Sequence, residues 1–284
     1  MELHFSALAY SYAHSLGNGS LCHQAMLETI KNTGFDGVDL DFNCLKSIPA
    51  IKLKQELSKL DLSVPSLAVF SELTSFDDST RKNAVKTVFE ATEYAKEVGA
   101  KNLLIVAGFT KPDTRNQARL NVIKGLKECL DHIISKGLTP TIETFPGDRS
   151  PFITGQEVLE VCNALDGKLM VTFDVGNSFT GGEDPIHTFE LLQNITVHIH
   201  AKNWIVKKEP PSNGDTYCRG LDGNYYIGAE LSEGILPIAE ILDKIQLFGY
   251  NDYIGWEYEG SKEPQEASKK GLDFLRKYIK LPEN

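Results

Sequence analysis

The sequence has little of what three broad classes of protein need. Its five cysteines (22, 44, 129, 162 and 218) are odd in number, widely spaced and free of any C-x-x-C pair. This argues against a disulfide framework and against structural zinc, and it suits thiols in a reducing compartment. No apolar run approaches the roughly 18 residues of a membrane span. The opening "MELHFSALAYSYAHS" lacks the basic and apolar regions of a signal peptide. The chain therefore reads as cytoplasmic, with no membrane partner. It also lacks a long basic run: 29 basic residues face 39 acidic ones, for a formal charge of −10. Nucleic-acid binding needs cations that displace counterions from phosphate, so a nucleic-acid partner is not expected. Neither G-x-G-x-x-G after a strand nor G-x-x-x-x-G-K-[ST] occurs, which removes support for nucleotide folds. A small-molecule substrate fits this balance, and the sequence leaves homo-oligomerisation open.

What is present is one repeating grammar. With 284 residues, 41% of them hydrophobic, the chain can bury a sizeable core. Short apolar runs at 3–10, 37–42, 63–70, 102–108, 139–145, 169–175, 196–202 and 253–259 read as strands. Longer amphipathic runs at 21–32, 48–60, 81–98, 115–136, 155–165, 184–193, 236–245 and 265–279 read as helices. Gly34, Gly99, Gly137 and Gly249 stand where a left-handed residue closes a helix. Thr154-x-x-Glu157 has the form of a capping box, and Asp184-Pro185 that of a helix start. Eight strand–helix pairs without a linker point to a single-domain (β/α)8 TIM barrel over 1–284, with an open doubly wound sheet as the alternative. The stretch 203–235 is long for a strand-to-helix connection and reads as a lid-like loop.

In a barrel, chemistry sits at the C-terminal ends of the strands. Side chains alternate across a strand, so parity sorts them. Val171, Phe173 and Val175 oppose Thr172 and Asp174. Val197, Ile199 and Ala201 oppose His198, His200 and Lys202. Ile254, Trp256 and Tyr258 oppose Gly255, Glu257 and Glu259. With the apolar parity against the helices, Glu143, Asp174, one of His198 and His200, and one of Glu257 and Glu259 converge on the axis. Unpaired carboxylates gathered in a core repel one another, and a divalent cation with a neutral imidazole relieves that repulsion. Structural salt bridges are the competing account.

The ordered segments "LTPTIETFPG", "VTFDVGNSFTGGEDP", "VHIHAKN" and "GYNDYIGWEYEG" resemble the xylose isomerase-like TIM barrels of the sugar phosphate isomerase/epimerase superfamily, over nearly the whole chain. The resemblance implies metal ligands Glu143, Asp174, His200 and Glu257. Three oxygens and one imidazole suit Mn2+ first, with Mg2+, Co2+ or Zn2+ as alternatives. It further implies a carbohydrate substrate converted through a metal-stabilised enediolate, with Glu143 and Glu257 as the acid/base pair of an isomerase or epimerase. A dehydratase of the 3-dehydroshikimate or inosose type is the runner-up on the same scaffold. An endonuclease IV-like hydrolase and a non-catalytic sugar-binding protein stand behind both.

Lys202, on the inward parity beyond His200, is a candidate for a substrate oxygen. Asn177 stands where many relatives carry histidine and reads as a substrate-positioning residue. Arg219 and Trp204 of the 203–235 stretch, and His14 of the first connection, are further candidate substrate contacts. His198 reads as an interior histidine. At Val206 and Arg149 the chain departs from the family's ketose 3-epimerases, which carry arginine and glutamate there.

Overall fold

The computed structural model describes residues 3–211 and 216–279. Its first seven strands are β1 (His4–Leu8), β2 (Gly37–Asp41), β3 (Ser66–Phe70), β4 (Asn102–Val106), β5 (Thr139–Ile142), β6 (Met170–Asp174) and β7 (Thr196–Ala201). Three further strands, β8 (Asn203–Lys207), β9 (Tyr217–Arg219) and β10 (Tyr225–Ala229), precede the last barrel strand, β11 (Tyr253–Trp256). β1 to β7 pair in sequence, all parallel, and β11 closes the ring between β7 and β1. The closed (β/α)8 barrel is thus the observed fold, and the open sheet is not.

The helices that cover the barrel follow the amphipathic runs: His23–Thr33, Ala50–Lys59, Asp78–Val98, Arg115–Ser135, Gly155–Asn163, Pro185–Leu192, Ile238–Leu247 and Pro264–Tyr278. Gly34 and Gly99 end two of them at φ of 105° and 84°, a region that a residue without Cβ enters at no steric cost. Outward-facing Val171, Phe173, Ile199, Ala201, Ile254 and Trp256 are buried beneath the helices in one continuous core. Both faces of each strand are covered, as parallel sheets require.

Two differences from the pattern reading matter. β5 ends at Ile142 and β11 at Trp256, so Glu143 and Glu257 stand one residue beyond their strands. Glu257 is still held in line, because its N–H donates to the carbonyl of Ala201 at 3.0 Å. Much of the 203–235 stretch, expected as a lid-like loop, is regular strand. β8, β10 and β9 form an antiparallel sheet in that order. The Asp222-Gly223 turn joins β9 to β10, with Gly223 at φ 81°. An Asp-Gly step flanked by Tyr217 on one side and Tyr225, Tyr226 and Ile227 on the other is a hairpin signal that accounts for the β9–β10 pair. Residues 212–215, which include Asn213 and Gly214 of this stretch, lie outside the described residues.

The small sheet is seated on the barrel mouth. The N–H of Asp148 donates to the carbonyl of Arg219 at 2.6 Å. A Cβ at Gly228 would stand 2.5 Å from the backbone of Glu259, so only glycine allows that approach.

The loop after β5 is held by a charged cluster. Thr154 and Glu157 form the expected capping box at the start of the helix Gly155–Asn163. Glu157 also receives Arg115 at 2.6 Å and pairs with Arg119. The two arginines in turn donate to the carbonyls of Ser150 (2.7 Å) and Pro151 (3.0 Å). Loss of the cap alone through Thr154→Ala should cost about 0.5–2 kcal/mol of stability in urea unfolding. Glu157→Ala should cost more than Thr154→Ala, because it also leaves the largely buried Arg115 without a carboxylate and Arg119 with Glu160 alone. Equal midpoints for the two variants would show that the arginine pairs contribute nothing.

Candidate metal centre

β5, β6, β7 and β11 deliver Glu143, Asp174, His200 and Glu257 to one point at the C-terminal mouth of the barrel. One ligand atom from each lies within 4.8 Å of all the others, and all four residues are buried. The Nδ1 of His200 is 3.1 Å from Glu143 Oε2 and 3.4 Å from Glu257 Oε2. Asp174 anchors one oxygen by accepting the N–H groups of Gly176 (2.8 Å) and Asn177 (2.7 Å). Its other oxygen, Oδ2, has no hydrogen-bond partner, and neither has Glu257 Oε2. Buried carboxylate oxygens are seldom left bare, and bare ligand atoms converging from four strands suit a divalent cation. Glu143, Asp174, His200 and Glu257 would hold it.

Lys202 also reaches this point. Its Nζ donates to Glu257 Oε1 and Glu259 Oε1, both at 2.6 Å, and lies 3.9 Å from Asp174 Oδ2. Burial disfavours its charge, but Glu257, Glu259 and Asp174 outweigh burial and raise its pKa well above the usual value. Burial likewise opposes a charged His200, yet the carboxylates of Glu143 and Glu257 beside its Nδ1 lift its pKa well above 6.5. Burial raises Asp174 well above the ordinary carboxylate range, with Lys202 opposing and Glu257 and Glu143 adding to the rise. Glu257 is held well below that range, since Lys202 and His200 overcome its burial.

A cavity of about 220 Å³ opens onto these groups. One side carries Glu143, Asn177, His200, Lys202, Glu257 and Glu259. The other is apolar, formed by Ala68 and Phe70 of β3, Leu104 and Val106 of β4, and Phe109 and Phe145 beyond the strands. Tyr217 and Cys218 of β9 close the top. Asn177 places its amide nitrogen on the carbonyl of Thr144 at 2.8 Å and leaves its oxygen without a partner.

The other sequence candidates go elsewhere. Trp204 is buried behind the site: its indole N–H donates to the carbonyl of Gly176 at 2.8 Å, and Lys202 Nζ sits 4.8 Å over its ring. It supports Lys202 and does not line the cavity. Arg219 is exposed and pairs with Asp148 at 3.5 Å, because its position on β9 turns it away from the pocket. His14 lies exposed on the short helix Ala13–Gly17, outside the cavity. His198 is buried in the interior, 3.1 Å from Asp39. Arg149 is exposed, over the ring of Phe109 at 5.2 Å. Two pocket residues were not singled out in the sequence. Glu259 shares the parity of Glu257, a signal that left the two equivalent when both belong to the site. Tyr10 lies past β1, where parity no longer applies.

The whole chain now allows a comparison with known proteins. A family model described as "Xylose isomerase-like TIM barrel" matches residues 27–278. The chain belongs to that family. Its fold is similar to that of D-allulose 3-epimerase from Methylomonas sp., at TM-score 0.77 and 14% identity over 98% of both chains. It is similar to the probable 3-DHS dehydratase from Bacillus anthracis, at TM-score 0.76 and 18% identity, covering 96% of this chain and 98% of that one. It also resembles 3-keto-D-glucoside 4-epimerase from E. coli, at TM-score 0.71 and 16% identity over 98% and 99% of the two chains. No curated protein matches the sequence.

The electrostatics of this site set a pH sign. A carboxyl or imidazole whose pKa is raised by folding adds stability while protonated, and that contribution is lost as pH rises. For Asp174 the loss begins above 3.8, and for His200 above 6.5. A cation that replaces those protons gains what they lose. Mn2+ added to chelator-treated protein should therefore raise the melting temperature more at pH 8 than at pH 5. Asp174→Asn should abolish the Mn2+-dependent shift at both values. A shift of equal size in Asp174→Asn and the parent would exclude Asp174 as a ligand.

Proposed function

We propose that this protein is a divalent-metal-dependent isomerase or epimerase acting on a small-molecule sugar or sugar derivative, with Mn2+ as the preferred ion. The observation that carries the reading is the approach of Glu143 and Glu257 to the same nitrogen of His200, with all three residues lining one cavity. A bound dication would supply Lewis-acid polarisation of a carbonyl and its neighbouring hydroxyl. The chain's own groups do the rest. One glutamate removes the proton on the carbon next to the carbonyl, and the electron pair moves onto the carbonyl oxygen to give an enediolate. The other glutamate returns a proton. Return to the opposite face of the same carbon inverts it, and return to the neighbouring carbon moves the carbonyl. The Lys202 ammonium lies close enough to hold a substrate oxygen, and the free Asn177 oxygen can accept a substrate hydroxyl. The cytoplasmic setting belongs to the same proposal and rests on the free thiols. No helix among the described residues is long and apolar enough to cross a membrane.

One observation favours a second reading, a dehydratase of the 3-dehydroshikimate or inosose type. Glu259, paired with Lys202, adds a third acid at the cavity beyond the two that epimerisation uses. Burial raises it, Lys202 opposes, and Glu257 adds to the rise, for a pKa of about 7. An acid in that range can protonate a departing hydroxyl.

Incubating Mn2+-loaded protein in D2O with ketoses, inososes and 3-dehydroshikimate separates the readings. Deuterium gained beside a carbonyl with all hydroxyls retained is the outcome expected for an isomerase or epimerase. Loss of water would assign the dehydratase. No exchange with any compound, at confirmed metal occupancy, would remove both. Glu143→Gln and Glu257→Gln should each lower kcat by roughly 10²–10⁴-fold at matched metal occupancy.

A further inference from the structure

Deeper in the barrel, next to the candidate ligands, lies a second buried group of polar side chains. Asp39 points inward from β2, Ser6 from β1 and His198 from β7, and each is at most 4% exposed. Ser6 donates its hydroxyl to Asp39 Oδ2 at 2.7 Å. His198 Nε2 stands 3.1 Å from Asp39 Oδ1, although the pair is not aligned as a hydrogen bond. A donor atom of His200 falls within 4.8 Å of one on each of Asp39 and His198. The rings of His198 and His200 meet edge to face, with centroids 5.1 Å apart.

Gly255 on β11 makes this approach workable. A Cβ there would lie 2.5 Å from Asp39 Oδ2 and 3.2 Å from His200 Cδ2. The absent side chain leaves the Asp39 carboxylate beside one edge of the His200 ring. That edge carries Nε2, which has no hydrogen-bond partner. The opposite edge carries Nδ1, which faces Glu143 and Glu257. A neutral imidazole has one N–H and one lone pair, and the partner of the N–H decides which nitrogen keeps the lone pair.

We propose that Asp39 is a positioning residue for the metal centre: its carboxylate accepts the Nε2–H of His200, directly or across one water, and so presents the Nδ1 lone pair to the ion. Ser6 and His198 hold the carboxylate in place. The inference rests on the reading of Glu143, Asp174, His200 and Glu257 as metal ligands. A ligating histidine whose outer N–H meets a carboxylate has a fixed ring and a more basic donor nitrogen. The competing account makes Asp39, His198 and His200 the ligands of a second ion. The Ser6 hydroxyl donated to Asp39 Oδ2 disfavours it.

The test titrates chelator-treated protein with Mn2+ by calorimetry, with bound metal counted separately, for the parent, Asp39→Asn and His198→Gln. The expected result is one ion per parent chain and a loss of affinity of about 10–100-fold in Asp39→Asn, still with one ion at saturation. Unchanged affinity in folded Asp39→Asn would overturn the inference and leave the metal reading intact. Two ions per parent chain, one of them lost in Asp39→Asn, would overturn it in favour of a second site. No ion in the parent would remove the metal reading, and the inference with it. Should Asp39→Asn fail to fold, the 15N imidazole spectrum of the Zn2+-loaded parent decides. His200 protonated on Nε2 supports the proposal; His200 protonated on Nδ1 overturns it.

Discussion

The controlling constraint is an excess of buried acid. Glu143, Asp174, Glu257 and Glu259 meet at the mouth of the barrel, and among the described residues Lys202 and His200 oppose them. The desolvation of so many carboxyl groups is costly. Lys202 therefore sits between Glu257 and Glu259, and Trp204 lies across its charge from behind. The other connections follow. Asp174 spends one oxygen on two backbone N–H groups, which fixes the turn after β6 and leaves its second oxygen bare. Glu257 divides its oxygens between Lys202 and the vicinity of His200. Each side chain is held on one side and open on the other, and the open sides face one another.

This division follows from the barrel. The apolar parity of each strand is taken up by helices. The inner parity must be filled by something else, and the two halves of the ring fill it differently. β3 and β4 contribute Ala68, Phe70, Leu104 and Val106, while β5, β6, β7 and β11 lead to carboxylates, an imidazole and an ammonium. A substrate in the cavity meets a charged wall and an apolar one. Phe109 and Phe145, edge to face at 5.1 Å, extend the apolar wall past the strand ends.

How much of this was legible in the sequence depended on whether local pattern determined it. The eight strand–helix pairs carried their own periodicity and caps, and the ring they form is the observed one. Parity placed Asp174 and His200 inward because those positions lie in regular strands, and it carried over to Lys202, one residue beyond β7. It was weaker for Glu143 and Glu257, which stand past the last ladder residue, and it had no hold on Tyr10. Arg219 and Trp204 went elsewhere because the 203–235 stretch is a sheet with its own alternation. Chain proximity to the mouth says nothing about which face a residue takes there. Asp39 lies in the strand "GVDLDF" but was not singled out, since its proximity to His200 depends on Gly255, two strands away around the ring. Contacts of that kind arise from strand tilt and leave no trace in spacing.

The seating of the three-stranded sheet has a consequence for how such a protein can diversify. The sheet is seated by Gly228 against Glu259, the Arg219 carbonyl on Asp148, and the buried rings of Trp204 and Tyr226. It contributes Tyr217 and Cys218 to the cavity but no candidate ligand. Reactive groups and roof are thus encoded in separate segments of chain. Changes in length or sequence between β8 and β10 can reshape the entrance while the ionised cluster beneath keeps its balance of charge. Variation at Tyr217 and Cys218 would change the entrance without touching any candidate ligand.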